Sequence, residues 1–172
     1  MAVVLRPLTP ADFGTLFDWC QDETFCRASG WTPGLTREAV STFWERLLAA
    51  PEGDFLRLGI DSDGQLVGYT DLAGIDHTIG AAEFGIAVGP SRNWGRGLGR
   101  AAGLLMLQHG FQVLKLPCIW AEVHALNLRS LALMRKMGFR QEGVGAEQQL
   151  YDGQMAETVQ FSLLRGDFEA VQ

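Results

Sequence analysis

The segment Arg92-Asn93-Trp94-Gly95-Arg96-Gly97-Leu98-Gly99-Arg100 combines three features that hold an anion through main-chain groups. Gly95, Gly97 and Gly99 fall at alternate positions, which permits positive φ and an approach to the backbone that a Cβ would obstruct. An apolar run starting at Leu98 reads as a helix, whose first-turn N–H groups lack intrahelical partners and whose N-terminus carries partial positive charge. Arg92, Arg96 and Arg100 add cations at the same mouth. A phosphate or pyrophosphate is the natural occupant. The plainer alternative is a glycine-rich turn with solvated arginines.

Two other groups carry chemistry. Glu83 begins the strand-like run Glu83 to Val88 that feeds this loop, and alternation puts Glu83 and Gly85 on one face, Phe84 and Ile86 on the other. It is either a base or an edge carboxylate in water. Asn127 and Ser130 lie one turn apart at the start of a helix, so both can face one space there. Otherwise they simply cap and pack that helix through Leu131 and Met134.

The elements that position these groups follow in chain order. Val3 to Leu8 reads as a strand and Thr9-Pro10-Ala11-Asp12 as a helix start. Residues 21 to 35 contain Gly30, Pro33 and Gly34 and read as a loop carrying Phe25 and Trp31. Thr36 caps a second helix, ended by Pro51-Glu52-Gly53. Strands follow around Leu56 to Ile60 and Leu66 to Ile75, joined by a turn at Asp61-Ser62-Asp63-Gly64. The third helix, from Leu98 to Leu114, is apolar nearly all round and should be buried against a sheet. Cys118 to His124 reads as a strand, and Asn127 to Met137 as a capped helix ended by Gly138. Phe139 to Leu150 and Met155 to Leu164 read as a closing strand pair. One mixed α/β sheet, mostly hairpins with helices on both faces, accounts for the order.

Bulk properties narrow the function. At 172 residues the chain fits a single domain, residues 1–172. A net charge of −6 argues against nucleic acid as main partner and suits a cationic substrate. Cys20, Cys26 and Cys118 form neither a disulfide framework nor metal-ligand spacing, so no metal is expected. The start lacks a signal-peptide pattern and the longest apolar run is far too short to span a bilayer, so a cytoplasmic protein without membrane contact is expected.

Trp94-Gly95-Arg96-Gly97-Leu98-Gly99 followed by an apolar helix, then Asn127-x-x-Ser130 through Lys136-x-Gly138-Phe139, resembles the GCN5-related N-acetyltransferases. Within them it is most similar to the ribosomal-protein N-terminal (RimJ/RimL-type) branch, over nearly the whole chain. The resemblance implies a single domain with a mostly antiparallel twisted sheet of about seven strands, splayed between its central strands. It implies acetyl-coenzyme A as co-substrate, its pyrophosphate on Gly95, Arg96, Gly97, Leu98, Gly99 and Arg100, with Arg92 able to add charge. The pantetheine arm would lie against Ile86 to Val88, with Asn127 hydrogen-bonded to it. Trp94 replaces the loop's usual leading Gln or Arg, and Met134 stands where a tyrosine often serves as general acid, four residues before Gly138-Phe139. Ser130 remains as the hydroxyl on that helix.

The implied reaction is direct attack by an amine on the thioester in a ternary complex. Glu83 is the candidate base, working through a water, and a strand N–H near Ile86 to Val88 the oxyanion donor. Ser130 suits a hydrogen bond to the departing sulfur. The branch points to a protein or peptide α-amino group as acceptor and a homodimer as the usual state. A polyamine or aminoglycoside is the alternative acceptor, and a non-catalytic coenzyme A-binding module the alternative class. Phe25, Trp31 and His124 are candidates for the acceptor cleft. Gly97-x-Gly99-x-x-Ala102 with Glu122 about twenty residues on also matches a loose dinucleotide fingerprint. The strand ends too early for that tight turn, and opening hairpins do not fit a doubly wound sheet.

Overall fold

In the computed structural model, which describes residues 2–50 and 53–170, the alternating stretches form β1 (Val3–Arg6), β2 (Leu56–Ser62), β3 (Gln65–Asp76), β4 (Ala81–Val88) and β5 (Cys118–His124), then β6 (Arg140–Val144), β7 (Gln149–Tyr151), β8 (Gln154–Ala156) and β9 (Thr158–Leu164). The helices are α1 (Phe13–Cys20), α2 (Glu23–Ser29), α3 (Arg37–Ala49), α4 (Leu98–Gln108), α5 (Leu128–Lys136) and α6 (Arg165–Ala170). The Pro51-Glu52 pair expected to end the second helix lies outside the described residues.

Seven strands form one sheet in the order β1-β2-β3-β4-β5-β9-β6, antiparallel except for β4 beside β5. The β2–β3 hairpin turns at Asp63 and Gly64, both with positive φ (53° and 83°), as a two-residue turn matched to strand twist requires. On one face α4, α5 and α6 pack Met106, Leu107, Leu131, Met134 and Phe168 onto Phe84, Ile119 and Phe161. On the other, α1, α2 and α3 pack Trp19, Phe25 and Trp44 onto Leu66 and Tyr69.

Three expectations change and one helix is added. Residues 21 to 35 are not all loop: Asp22 accepts the Phe25 N–H at 3.1 Å, Gly30 closes with φ +71°, and α2 forms between them. Burial of Phe25 and Cys26 then compensates for its short length. The third helix leaves α geometry at His109, where a wider turn runs to Val113, and its Leu105 and Val113 are exposed, so only one face is buried. The closing strand pair breaks in two: β6 and β9 join the sheet, while β7 and β8 form a separate ribbon. The chain past Leu164 adds α6, anchored by Phe168 stacking 5.1 Å from Phe111.

Candidate active site

β4 and β5 share only the pairs Ala81–Cys118, Ala82–Ile119 and Glu83–Trp120. Beyond Glu83, β4 stays with β3 as far as Val88 while β5 stays with β9, so the two strands part. A cleft of about 820 Å³ occupies the wedge and reaches both faces of the sheet.

One end of the cleft is the glycine loop. Gly95 and Gly97 take left-handed φ (77° and 82°), and Gly97 is the residue before α4. The first bond of that helix runs from the Ala101 N–H to the Gly97 carbonyl at 3.1 Å. The N–H groups of Leu98, Gly99 and Arg100 precede it and are the natural anion donors. Gly99, expected to share the positive φ, is already helical; a Cβ there would stand 3.4 Å from Leu133 and 3.6 Å from Val88. Gly95, Gly97, Leu98, Gly99 and Arg100 line the cleft. Arg92 and Arg96 are exposed and outside its lining, and Arg96 donates to Asn93 Oδ1 at 3.1 Å.

Trp94 locks the loop to the strand before it. Its indole N–H donates to the Val88 carbonyl at 2.6 Å, and the Arg129 guanidinium lies 3.5 Å from its ring centroid. Asp22 ties the same region to α2, its second oxygen accepting the Ser91 N–H at 2.7 Å. Those hydrogen bonds outweigh the burial that would raise its carboxyl and hold it below the usual range.

Ile86 and Val88 line the wedge. The Thr70 hydroxyl donates to the Gly85 carbonyl at 2.8 Å, so main-chain groups of Gly85 face β3 and those of Ile86 and Val88 face the opening. Asn127 and Ser130 also line the cleft; the Asn127 side-chain oxygen accepts the Ser130 N–H at 3.2 Å, capping α5. Met134 is buried in the core beneath them, so Ser130 is the hydroxyl that α5 offers the cleft.

Glu83 is half-buried behind this lining, which begins on β4 at Phe84. Burial raises its carboxyl above the ordinary Glu range, and the charge of Glu122 raises it further. Glu122 itself lines the cleft and accepts the Gln149 side-chain amide at 2.8 Å. Beside them Arg57 donates to both oxygens of Asp71 at 2.6 and 2.7 Å and lies 4.3 Å over the Tyr69 ring. Arg57, Tyr69, Asp71, Glu122, Gln149 and Tyr151 were not singled out for the site from sequence; only the register of β2, β3 and β5 and the docking of β7 bring them together.

Phe25 and Trp31 stand behind the cleft. Phe25 is fully buried against Trp19 and Trp31, and Trp31 donates its indole N–H to the Tyr69 hydroxyl at 2.9 Å. His124 lines the cleft with both nitrogens engaged: Nδ1 accepts the Leu126 N–H at 3.2 Å and Nε2 donates to the Gln149 carbonyl at 2.6 Å. Its ring stacks on Tyr151 at 5.0 Å, clasping the ribbon rather than offering a base. Burial pushes the Cys26 thiol up to about 11, which leaves it protonated near neutrality.

A family model described as the acetyltransferase (GNAT) domain matches residues 2–140. The chain belongs to that family. The GNAT fold accounts for the mixed seven-stranded sheet and the parting of β4 from β5. Among curated GNAT relatives, spermidine N(1)-acetyltransferase of Escherichia coli is 29% identical over 114 residues, 66% of this chain. That match spans 61% of the relative's own length. The putative ribosomal N-acetyltransferase YdaF of Bacillus subtilis is 27% identical over 133 residues, 77% of this chain and 71% of its own. The solved spermidine N-acetyltransferase from Vibrio cholerae in complex with CoA and spermine shares the GNAT fold at TM-score 0.82, covering 97% of this chain and 98% of its own at 20% identity. Among the described residues no group of three or more His, Cys, Asp and Glu is placed to hold a metal, and no helix is long and apolar enough to cross a membrane.

Proposed function

We propose that this chain is an acetyl-coenzyme A-dependent N-acetyltransferase whose acceptor is a small cationic amine of the polyamine class. The carrying observation is the pair Glu83 and Glu122, set on one face where β4 and β5 part, at the far side of a cleft whose near side is the glycine loop. The N–H groups of Leu98, Gly99 and Arg100 would hold the diphosphate. Ile86 and Val88 would flank the pantetheine arm and bring the thioester to the wedge, with Asn127 as a further hydrogen-bond partner.

The remaining steps belong to the chain's own groups. Glu83 takes a proton from the acceptor's ammonium through a water, and the freed nitrogen attacks the thioester carbon. A main-chain N–H of Ile86 or Val88 steadies the oxyanion as the C–N bond forms. Ser130 donates a hydrogen bond to the sulfur as the C–S bond breaks, and the second proton of the attacking nitrogen passes through water to the sulfur, so that coenzyme A departs as its thiol. Similarity to spermidine N(1)-acetyltransferase and the acidic charge of the chain support the polyamine acceptor.

A protein or peptide α-amino group, expected from the RimJ/RimL-type resemblance, is the second reading, and the match to YdaF favours it. A homodimer belongs to the same resemblance and is tested by sedimentation. To separate the acceptors, the protein is incubated with acetyl-coenzyme A and spermidine, spermine, an aminoglycoside or peptides with free N-termini, and products are read by mass spectrometry. Acetylated spermidine or spermine is expected. Acetylation of peptides alone would replace this reading with the second, and a donor bound but never consumed would favour a binding module.

A further inference from the structure

The pairing of β4 with β5 ends at Glu83 and Trp120. Two residues further along each strand, on the same face, stand Gly85 and Glu122. Gly85 leaves that position open: the nearest atoms a Cβ would meet belong to Asp71, at 3.6 and 3.7 Å. Glu122 lines the cleft, whereas Glu83 lies behind the lining. The Gln149 amide engages one Glu122 oxygen at 2.8 Å, and the Gln149 carbonyl is fixed by His124 at 2.6 Å. A carboxylate on the cleft wall is thus held in one orientation by the ribbon.

We propose that Glu122 is a second carboxylate of the acceptor site, binding the acceptor's ammonium across from Gly85, with Gln149 as its positioning residue. The inference rests on the amine-acceptor reading. Among the described residues, the charged groups of this face where the strands part are Glu83 on β4, the pair Asp71 and Arg57 on β3 and β2, and Glu122 on β5, where His124 has both nitrogens engaged. Farther along the same face Arg140 and Glu142 of β6 pair at 3.3 Å, and Arg100, Arg129 and Lys136 line the cleft from α4 and α5. Asp71 and Arg57 neutralise one another through two hydrogen bonds, so the net negative charge belongs to Glu83 and Glu122. An entering ammonium meets Glu122 on the wall first, and Glu83 beyond it receives the proton. Glu122 also acts on Glu83 through space, since its charge adds to burial in holding that carboxyl high.

The test compares Glu122→Gln and Gln149→Leu with the natural protein in steady-state acetylation of spermidine across the acid limb of the pH profile. Glu122→Gln should raise the KM for spermidine by about tenfold or more, the scale of a charge-assisted hydrogen bond, and leave the KM for the donor unchanged. It should also move the acid limb of kcat to lower pH, because Glu83 loses a like charge. Gln149→Leu keeps that charge, so it should raise the amine KM less and leave the limb in place. An unchanged amine KM with an unmoved limb in Glu122→Gln would overturn the proposal while the amine-acetyltransferase reading stands. A natural protein that acetylates no amine would overturn both. If Glu122→Gln loses its cooperative thermal transition, Gln149→Leu decides: an unchanged amine KM there overturns the proposal.

Discussion

Trp94 donates its indole N–H to the carbonyl of Val88 at 2.6 Å, so the residue that opens the glycine loop closes on the end of the strand that feeds it. The main chain of Val88 faces the wedge, and this bond sets how far the loop stands from it. Trp94→Phe keeps a ring for Arg129 but removes the donor. A hydrogen bond of this kind contributes about 1 kcal/mol net. Coenzyme A affinity, measured by calorimetry, should weaken by roughly fivefold. Unchanged affinity would show that the loop holds its place without Trp94.

Gly97 and Gly99 should fail differently when substituted. Gly97 sits at φ +82° with open space where a Cβ would go, so Gly97→Val incurs backbone strain of about 1–2 kcal/mol and places its side chain at the anion site. Both the thermal midpoint and coenzyme A affinity should fall. Gly99→Ala adds a Cβ at 3.4 Å from Leu133 on ordinary helical backbone and should be nearly neutral, whereas Gly99→Val crowds Leu133 and Val88. Equal losses for Gly97→Val and Gly99→Ala would contradict this assignment.

What the sequence made legible is what local physics determines. Apolar alternation and turn residues placed β2 to β5, and Asn127 and Gly138 bracketed α5 as they do in the structure. The helix at Glu23–Ser29 carried the same kind of signals, Asp22 before it and Gly30 after it, but seven residues show too little periodicity to outweigh the prolines and glycines nearby. The insertion of β9 between β5 and β6 depends on contacts far apart in sequence, and so does the ribbon that brings Gln149 to Glu122. The donor side of the cleft was readable because one continuous loop builds it. The opposite side draws on β2, β3, β5 and β7, and of its lining only His124 was anticipated, with Glu83, Phe25 and Trp31 standing behind it.

Stability at low pH should depend on Asp12. Arg6 donates to its two oxygens at 2.9 and 2.8 Å, and the Thr9 N–H adds a bond at 2.8 Å. Burial pushes this carboxyl up, but the hydrogen bonds from Arg6 and Thr9 prevail and hold it below the usual range. A folded value below the unfolded value of about 3.9 means that the stabilisation is complete above that pH and is lost as pH falls through the folded value. Asp12→Asn should therefore lower the urea midpoint at neutral pH and flatten its decline in acid. An acid profile parallel to that of the natural protein would place the linkage elsewhere.

Glu83 should control turnover rather than donor binding. Its carboxyl is raised first by burial and then by Glu122, and a base works only when ionised, so kcat should fall as pH drops through that raised value. The demand on the base depends on the acceptor: an alkyl ammonium near the lysine value of about 10.4 needs more help than an α-amino group near about 7.7–8.0. Glu83→Gln should then lower kcat for spermidine by about a hundredfold, within the usual range for a general base, with coenzyme A affinity unchanged. Residual activity should climb with pH as free amine accumulates, and any peptide α-amine substrate should lose much less. If kcat for spermidine survives Glu83→Gln intact, the proton leaves by another route and Glu83 is a structural carboxylate at the foot of the wedge.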